Sequence, residues 1–177
     1  ARLFHATEHL LIPLRGVPAV LTVHDLIFRR YPRHHKPLNR WYLNLTMPLY
    51  CRRAAHIIAV SEQTKRDVVA AYGVPAGKVT VIHEAAGPEF RPQPPEAVAR
   101  VRERYRLPAR YLLSVGTIEP RKNQRRLAEA FAGYLAGGGE PMPLVLAGGE
   151  GWCMEGFPRF LEELGIAQHV IVTGYVS

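Results

Sequence analysis

Short apolar runs alternate along the chain with longer segments in which apolar positions recur every three to four residues. The short runs predict strands, and the almost wholly apolar run Ala19–Val23 is typical of a strand that is buried on both faces. The longer periodic segments predict helices. Strands are predicted at residues 2–6, 19–23, 56–60, 79–82, 111–115, 144–147 and 170–173.

Helices are predicted between these strands, at residues 38–54, 62–72, 96–105, 124–135 and 156–164. Ser61 is the expected N-cap of the second helix, because its hydroxyl can accept a hydrogen bond from a first-turn N–H, and Gly73 is expected to end that helix. Pro48 is expected to kink the first helix. The alternation of strands and helices predicts an α/β fold with parallel sheets joined by right-handed crossovers.

A segment with four prolines and a glycine, residues 87–95, interrupts this alternation. Such a composition suits neither a helix nor the interior of a sheet, and it predicts an interdomain linker. The predicted organisation is therefore a first domain at 1–86, the linker at 87–95 and a second domain at 96–177. Each part has fewer strands than the roughly five or six of an average sheet, so both sheets are expected to be incomplete and prone to self-association through open edges.

Composition limits the class of protein without selecting a function. The chain has 177 residues, of which 47% are hydrophobic and 21% charged, as in soluble globular proteins. The formal net charge of +8 favours phosphorylated metabolites, anionic lipid surfaces or nucleic acid as partners. No apolar run approaches the roughly 20 residues of a membrane span. Two distant cysteines, Cys51 and Cys153, form neither a disulfide framework nor a metal cluster, which favours a reducing, cytoplasmic setting.

The most informative candidate site follows the strand predicted at 111–115. Gly116 ends that strand, and a helix-like pattern opens behind Pro120 with the adjacent cations Arg121 and Lys122. A strand, a glycine turn and a helix N-terminus form an anion site, because the first helical N–H groups have no partner within the helix. Two cations suit a diphosphate better than a neutral ligand. The alternative is a surface turn with a solvated Arg–Lys pair.

A second basic feature is the tract 29–36, which lies close to Trp41 and Tyr42. Cations mixed with aromatic side chains can bind phosphate backbones and stack on bases, or lie against anionic lipid head groups. The tract therefore supports an alternative function, a non-catalytic module that binds nucleic acid or an anionic membrane surface. A solvated loop remains the third interpretation. No segment matches a named nucleic-acid-binding motif, so nucleic acid is the less favoured partner.

Several short motifs follow one another along the chain, at residues 22–26, 30–32, 58–67, 73–79, 115–123, 146–149 and 173–177. In this order they resemble the motifs of family-4 retaining glycosyltransferases, which have the two-domain GT-B architecture. The subgroup with a His-Asp-Leu element and a Gly-Thr-Ile-Glu-Pro-Arg-Lys-Asn element is mannosyltransferase-like.

The resemblance implies parts of two Rossmann-like parallel-sheet domains, an acceptor-side part up to about residue 86 and a nucleotide-sugar-binding part from about residue 92. It implies transfer of a hexose, with a mannose-like sugar favoured, from a nucleotide-diphosphate sugar to a saccharide or lipid-linked acceptor, as in polysaccharide biosynthesis. No metal or other cofactor is expected. A sugar-nucleotide epimerase or phosphorylase of the same architecture ranks below the transferase, since it is not expected to carry the Glu-Pro-Arg-Lys-Asn element. The expected location is cytoplasmic, with a peripheral contact at the inner face of the membrane left open.

The resemblance also implies roles for individual residues. His24 is the candidate catalytic residue and would contact the transferred sugar; the alternative is a histidine that only bonds to Asp25 or to nearby backbone. Asp25 is expected to position the loop. The residues implied in binding the donor are Gly116, Thr117, Arg121, Lys122, Gly148 and Gly149, of which the last two either line the nucleotide pocket or simply turn the chain.

The chain also departs from the family pattern. Thr117 stands where many relatives have an arginine, so one phosphate contact is expected to be weaker or supplied differently. The segment 83–86 stands where relatives commonly have an Asn-Gly turn. The paired glutamates, spaced by seven residues, that hold the donor's sugar and ribose in the family would lie beyond Ser177. We therefore expect the 177-residue chain to be inactive by itself.

Overall fold

A computed structural model of the chain describes residues 2–12, 14–151 and 155–176. The chain divides into two compact units, Ala1–Phe90 and Arg91–Ser177. The division falls inside the proline-rich segment 87–95. Each unit has its own parallel sheet and its own hydrophobic core.

The elements of the first unit are β1 (Phe4–Ala6), β2 (Ala19–Val23), α1 (Ile27–Arg30), α2 (Pro37–Arg53), β3 (His56–Ala59), α3 (Glu62–Tyr72) and β4 (Val79–Val81). Short 3-10 turns occur at Pro32–His34 and Ala76–Lys78. The sheet has four parallel strands in the order β1-β2-β3-β4.

Helix α3 has the ends that its sequence predicts. The Ser61 hydroxyl accepts a hydrogen bond from the Thr64 N–H at 3.0 Å. At the other end Gly73 has φ 63°, and its N–H donates to the Val69 carbonyl oxygen at 2.9 Å. Helix α2 continues through Pro48 to Arg53.

The core of the first unit lies between the sheet and these helices. Leu21, Val23 and Ile57 are fully buried in the strands, and Met47 and Cys51 of α2 pack into the same cluster. Burial raises the pKa of the Cys51 thiol to about 12, so the thiol stays protonated and unreactive at neutral pH.

The elements of the second unit are α4 (Pro95–Arg104), β5 (Leu112–Val115), α5 (Gln124–Ala136), β6 (Leu144–Ala147), α6 (Phe157–Glu163) and β7 (Val170–Gly174). Its sheet has three parallel strands in the order β5-β6-β7. All of β6 is buried, whereas Leu113 and Val115 on one face of β5 are exposed.

The turn between β5 and α5 differs from the predicted pattern. Pro120–Lys122 forms a 3-10 turn, and Asn123 adopts a left-handed conformation with φ 58° before α5 begins at Gln124. A left-handed residue interrupts the helical hydrogen-bond ladder. Arg121 and Lys122 therefore precede α5 and do not belong to its first turn.

None of the helices in the described ranges has the length and apolar content that a membrane span requires.

Candidate functional site

Parallel strands place the loops that follow them at one edge of the sheet, where open α/β folds bind ligands. In the first unit, His24 lies at this edge, directly after β2. Its Nε2 donates a hydrogen bond to the Thr7 carbonyl oxygen at 2.9 Å, and its Nδ1 lies 2.9 Å from Glu84 Oε1. Thr7 follows β1 and Glu84 lies in the segment that follows β4. Residues that follow three different strands therefore meet at the His24 ring.

These contacts favour the imidazolium form of His24. The hydrogen bond to the Thr7 carbonyl raises the pKa of His24 above its ordinary value of 6.5, against the lowering effect of partial burial, and the negative charges of Glu84 and Glu8 raise it further. Both neighbours of the ring are acceptors, and only the doubly protonated ring donates to both. The ring is therefore held as a hydrogen-bond donor at the strand ends, and its surroundings favour the positively charged form.

The backbone around His24 is fixed as well. The Thr64 hydroxyl, buried at the start of α3, donates to the His24 carbonyl oxygen at 3.0 Å. Asp25 Oδ1 accepts the Ile27 N–H at 3.0 Å, which shapes the turn into α1 as predicted for Asp25. The Thr7 contact is of the kind expected for a histidine bonded to Asp25 or to nearby backbone, and the sugar-contacting role of His24 stays a prediction.

Glu84 and Thr7 were not among the predicted site residues. The segment 83–86 was noted only because it departs from the Asn-Gly turn of the family. The sequence does contain a signal for Glu84. Both Glu84 and His24 follow predicted strands by one or two residues, and the ends of parallel strands lie at the same edge of a sheet. His83 holds the same segment in place, with its Nδ1 3.2 Å from the Val60 carbonyl oxygen after β3.

In the second unit, Gly116 and Lys122 lie together after β5. Gly116 has φ 133°, a conformation that favours glycine, and its N–H donates to the Ala147 carbonyl oxygen at 2.8 Å. A β-carbon placed on Gly116 would lie 3.5 Å from Lys122 Cε and 3.8 Å from Nζ. The lysine chain therefore extends over the glycine, with its ammonium group next to the exposed backbone.

Gly148 is required for the close approach of two loops. It has φ 157°, and a β-carbon there would overlap the Gly116 carbonyl group. The Gly148 N–H donates to the Gly174 carbonyl oxygen at 2.9 Å, so the ends of β5, β6 and β7 are tied together. Gly149 has open space on its side-chain side, and its carbonyl oxygen accepts the Ile118 N–H at 3.0 Å.

Arg121 has a partner that the sequence analysis did not assign. One of its terminal nitrogens lies 2.6 Å from Glu119 Oε1, and the Glu119 side chain is largely buried. The Lys122 ammonium group, in contrast, has no ion-pair or hydrogen-bond partner among the described residues, whereas the Lys122 backbone N–H donates to the Glu119 carbonyl oxygen at 3.0 Å. The two cations are therefore unequal, since the Arg121 guanidinium group is paired with a carboxylate and the Lys122 ammonium group is not.

The Thr117 side chain is exposed on the same loop, and its carbonyl oxygen accepts a hydrogen bond from Gln124 Nε2 at 3.0 Å. Gln124 is the first residue of α5 and is only 3% exposed. The sequence does not predict this hydrogen bond, because a glutamine at the start of a helix is not a distinctive pattern. Gln124 joins the start of α5 to the loop that carries Thr117, so the loop and the helix are positioned together.

In the part of the chain that the structure describes, no three His, Cys, Asp or Glu side chains are grouped so that they could hold a metal ion.

The sequence profile of Glycosyltransferase Family 4 matches residues 2–90, which are half of the chain and include the His24 region. The chain belongs to glycosyltransferase family 4. The resemblance stated from the motifs is thereby confirmed.

Curated relatives of this family-4 chain include two mannosyltransferases of Escherichia coli. The O-antigen chain mannosyltransferase B is 28% identical over 142 residues, covering 80% of this chain and 37% of the relative. The serotype-specific mannosyltransferase WbdA is 29% identical over 177 residues, covering 94% of this chain and 21% of the relative. The chain thus spans well under half the length of these relatives.

Solved glycosyltransferases share the fold of this family-4 chain. HepE from Anabaena, crystallised with UDP and glucose, is 20% identical with a TM-score of 0.67, and the match covers 91% of this chain and 42% of HepE. WaaG, a glycosyltransferase involved in lipopolysaccharide biosynthesis, is 16% identical with a TM-score of 0.63, and the match covers 93% of this chain and 50% of WaaG. The predicted α/β chain with GT-B-like, Rossmann-like parts is confirmed.

Proposed function

We propose that the chain is part of a retaining glycosyltransferase that transfers a hexose, with mannose favoured, from a nucleotide-diphosphate sugar to a saccharide or lipid-linked acceptor. Membership of family 4 and the two mannosyltransferase relatives support the reaction and the sugar. The observation that carries the proposal is the Lys122 side chain, which extends over Gly116 without a partner among the described residues.

The donor diphosphate is assigned to the loop after β5. Backbone at Gly116 and Thr117 can approach a phosphate closely, because Gly116 has no side chain and the atoms nearest to its side-chain position belong to Lys122. As the glycosidic bond breaks, negative charge grows on the departing phosphate oxygen, and a fixed ammonium group stabilises that charge. Arg121 supplies a second cation, at the cost of weakening its contact with Glu119. Gly148 and Gly149 hold the neighbouring strand end against this loop.

His24 is assigned to the transferred sugar. As an imidazolium it can donate a hydrogen bond to a sugar hydroxyl. To donate to the sugar it must give up one of its two present acceptors, and the exposed carboxylate of Glu84 is the more easily displaced. We assign no protein nucleophile to the retaining reaction.

The Lys122 assignment is tested by binding of the donor. Isothermal titration of the chain with GDP-mannose and with UDP-glucose measures Kd for two candidate donors. We expect Lys122→Ala to weaken the Kd of the preferred donor about 10- to 100-fold, since a charge-assisted hydrogen bond contributes about 1.5–3 kcal/mol. Binding of the free nucleoside is expected to be unchanged, because a nucleoside has no diphosphate.

Lys65→Ala, which removes a lysine from α3 in the first unit, is the matched control and is expected to leave Kd unchanged. In the intact protein, the same Lys122→Ala change is expected to weaken use of the donor far more than use of the acceptor. Unchanged donor binding and donor kinetics in Lys122→Ala would contradict the assignment of the diphosphate to this loop.

A further inference from the structure

A shallow groove lies between α1 and the second half of α3 in the first unit. Its apolar surface comes from Leu26, which is only 3% exposed, and from two alanines of α3. The groove has a volume of about 230 Å³ and is lined by Leu26, Arg29, Arg30, Asp67, Ala70 and Ala71. Aliphatic and charged groups therefore share one small concave surface.

The Asp67 carboxylate is held in place by one of its two oxygens only. Its Oδ1 accepts hydrogen bonds from Arg30 Nη2 at 2.9 Å and from Gln63 Nε2 at 2.8 Å. Its Oδ2 has no hydrogen-bond partner among the described residues, although the side chain is only 17% exposed. A fixed carboxylate oxygen without a donor is a ready acceptor for a ligand hydroxyl group.

Two arginines supply hydrogen-bond donors beside this acceptor. The Arg30 side chain uses one terminal nitrogen for Asp67 and is 55% exposed, so its other N–H groups can donate to a ligand. The Arg29 guanidinium lies 5.5 Å from the centre of the Tyr72 ring, a distance at which cation and ring attract each other. The protein therefore fixes the position of both guanidinium groups while leaving donors unused.

The groove begins next to the segment that carries His24. Leu26 follows His24 by two residues, and the Thr64 hydroxyl of α3 donates to the His24 carbonyl oxygen at 3.0 Å. Thr64 precedes Asp67 by three residues, which is about 4.5 Å along a helix. A ligand in the groove would therefore lie beside the strand end to which His24 belongs.

We propose that this α1–α3 groove binds one sugar unit of a saccharide acceptor. A sugar ring carries neighbouring hydroxyl groups, which both donate and accept hydrogen bonds, around an aliphatic C–H surface. Asp67 and Arg30 match the hydroxyl groups, and Leu26 with the two alanines matches the C–H surface. The volume is below the roughly 300–1,000 Å³ of pockets for drug-sized ligands, which suits a single ring. The role of this sugar as part of an acceptor rests on the proposed function.

A free anion fits the groove less well than a neutral sugar. Phosphate or sulfate would bond to the two arginines, but the Asp67 carboxylate in the same groove would repel it. Asp67→Asn therefore has opposite effects on the two ligands. Loss of the carboxylate weakens the binding of a sugar hydroxyl and strengthens the binding of an anion.

The test is an NMR titration of the 177-residue chain with mannobiose, a neutral disaccharide, followed by the backbone amide signals. We expect the signals of Ala70 and Ala71 to shift and saturate as mannobiose is added. Asp67→Asn and Arg30→Ala are each expected to raise the Kd about 10-fold, as for the loss of one hydrogen bond to a charged group. Inorganic sulfate, titrated in the same way, is the probe for an anion site.

Matched control variants alter another arginine–carboxylate pair. Arg159 and Glu163 lie 3.0 Å apart on α6, and both side chains are exposed. Arg159→Ala and Glu163→Gln are expected to leave the Kd for mannobiose unchanged.

A further variant fills the groove without touching the Arg30–Asp67 pair. Ala70 is exposed and leucine is a good helix former, so Ala70→Leu is expected to retain the far-UV circular dichroism of the unchanged chain. The larger side chain occupies the space of the sugar, and binding of mannobiose is expected to be lost. This variant decides the question if removal of the ion pair alters the fold.

Two outcomes would overturn the proposal. The first is that mannobiose does not shift Ala70 and Ala71, or that Ala70→Leu binds it as the unchanged chain does. The second is that sulfate binds in place of mannobiose and that Asp67→Asn tightens the binding of sulfate, which would make the groove an anion site.

Titration with GDP-mannose separates this proposal from the donor assignment. The groove variants are expected to bind GDP-mannose as the unchanged chain does, because the donor is assigned to the loop with Lys122. If the groove fails while Lys122→Ala weakens donor binding, only the saccharide site is wrong. If mannobiose binds as expected while Lys122→Ala leaves donor binding unchanged, the donor assignment is wrong and the groove remains a saccharide site.

Discussion

At the scale of single residues, His24 shows how two acceptors define the chemistry of one ring. The Thr7 carbonyl cannot change its charge, whereas Glu84 is an exposed carboxylate that can be replaced without disturbing the core. The Thr7 contact therefore sets the orientation of the ring, and Glu84 adjusts its charge. This division of roles makes the protonation of His24 open to a direct test.

We predict that Glu84→Gln lowers the pKa of His24, because it removes both a negative charge and a charge-assisted hydrogen bond that favour the imidazolium form. NMR titration of the His24 ring protons measures the change. Glu8→Gln is the control: Glu8 also raises the pKa of His24, but less than Glu84 does, so we expect a smaller decrease. A His24 pKa that is the same in both variants and in the unchanged chain would refute the role given to Glu84.

The same pKa predicts how stability depends on pH. A histidine whose pKa is raised in the folded state stabilises it fully below the unfolded value of 6.5. This stabilisation is lost as the pH rises from about 6.5 through the folded pKa. The decrease in the free energy of unfolding over this window, followed by urea denaturation, is expected to be smaller in Glu84→Gln.

At the scale of elements, the ends of β5, β6 and β7 are joined through glycine backbone. Gly148 bonds to Gly174 at the end of β7 and lies directly against the Gly116 carbonyl group after β5. Backbones approach so closely only where no side chain stands between them. The donor-binding loop proposed here therefore depends on a residue that has no functional group of its own.

We predict that Gly148→Ala destabilises the second unit by about 1–3 kcal/mol, because the methyl group overlaps the Gly116 carbonyl and the loop must shift. Urea denaturation, monitored by amide hydrogen exchange in β5 and β6, measures the change in the free energy of unfolding. Gly149→Ala is the matched control. Because the space beside Gly149 is open, we expect the free energy of unfolding of this variant to change little. Equal stability of the two variants would show that the loops do not need the close approach.

At the scale of the whole molecule, the chain has two sheets and spans 37% and 21% of two curated relatives. The exposed Leu113 and Val115 leave part of β5 uncovered. Self-association through such a sheet stays a prediction. The assignment of residues 1–86 to the acceptor-side domain and of residues 96–177 to the nucleotide-sugar-binding domain also stays a prediction, as does the cytoplasmic location.

We predict that the 177-residue chain does not transfer sugar by itself, since it spans only 37% and 21% of two mannosyltransferase relatives. Incubation with radiolabelled GDP-mannose or UDP-glucose and a saccharide acceptor, with one of these full-length relatives as positive control, measures transfer. Product formed by the 177-residue chain at a rate close to that of the relative would disprove this prediction.

The sequence by itself determined the elements of this protein, because the signals that set them are local. Apolar runs and periodic segments located the strands and the longer helices to within a few residues but did not reveal the short helix α1, and Ser61 and Gly73 set the ends of α3 through bonds to their neighbours. The order and spacing of the short motifs also indicated the family, since residues at a strand end keep their spacing along the chain. The site residues His24 and Lys122 were found in this way, and their roles stay proposals.

Only the tertiary structure decided which of these residues have partners and which surfaces are free. Glu84 reaches His24, and Gly148 approaches Gly116, because parallel strands bring distant loops to one edge. The pattern of α2 shows apolar residues on two sides, and packing on the sheet selects the face with Met47 for the core and leaves the face with Trp41 exposed. Such contacts depend on positions in space, which a local pattern of residues does not contain.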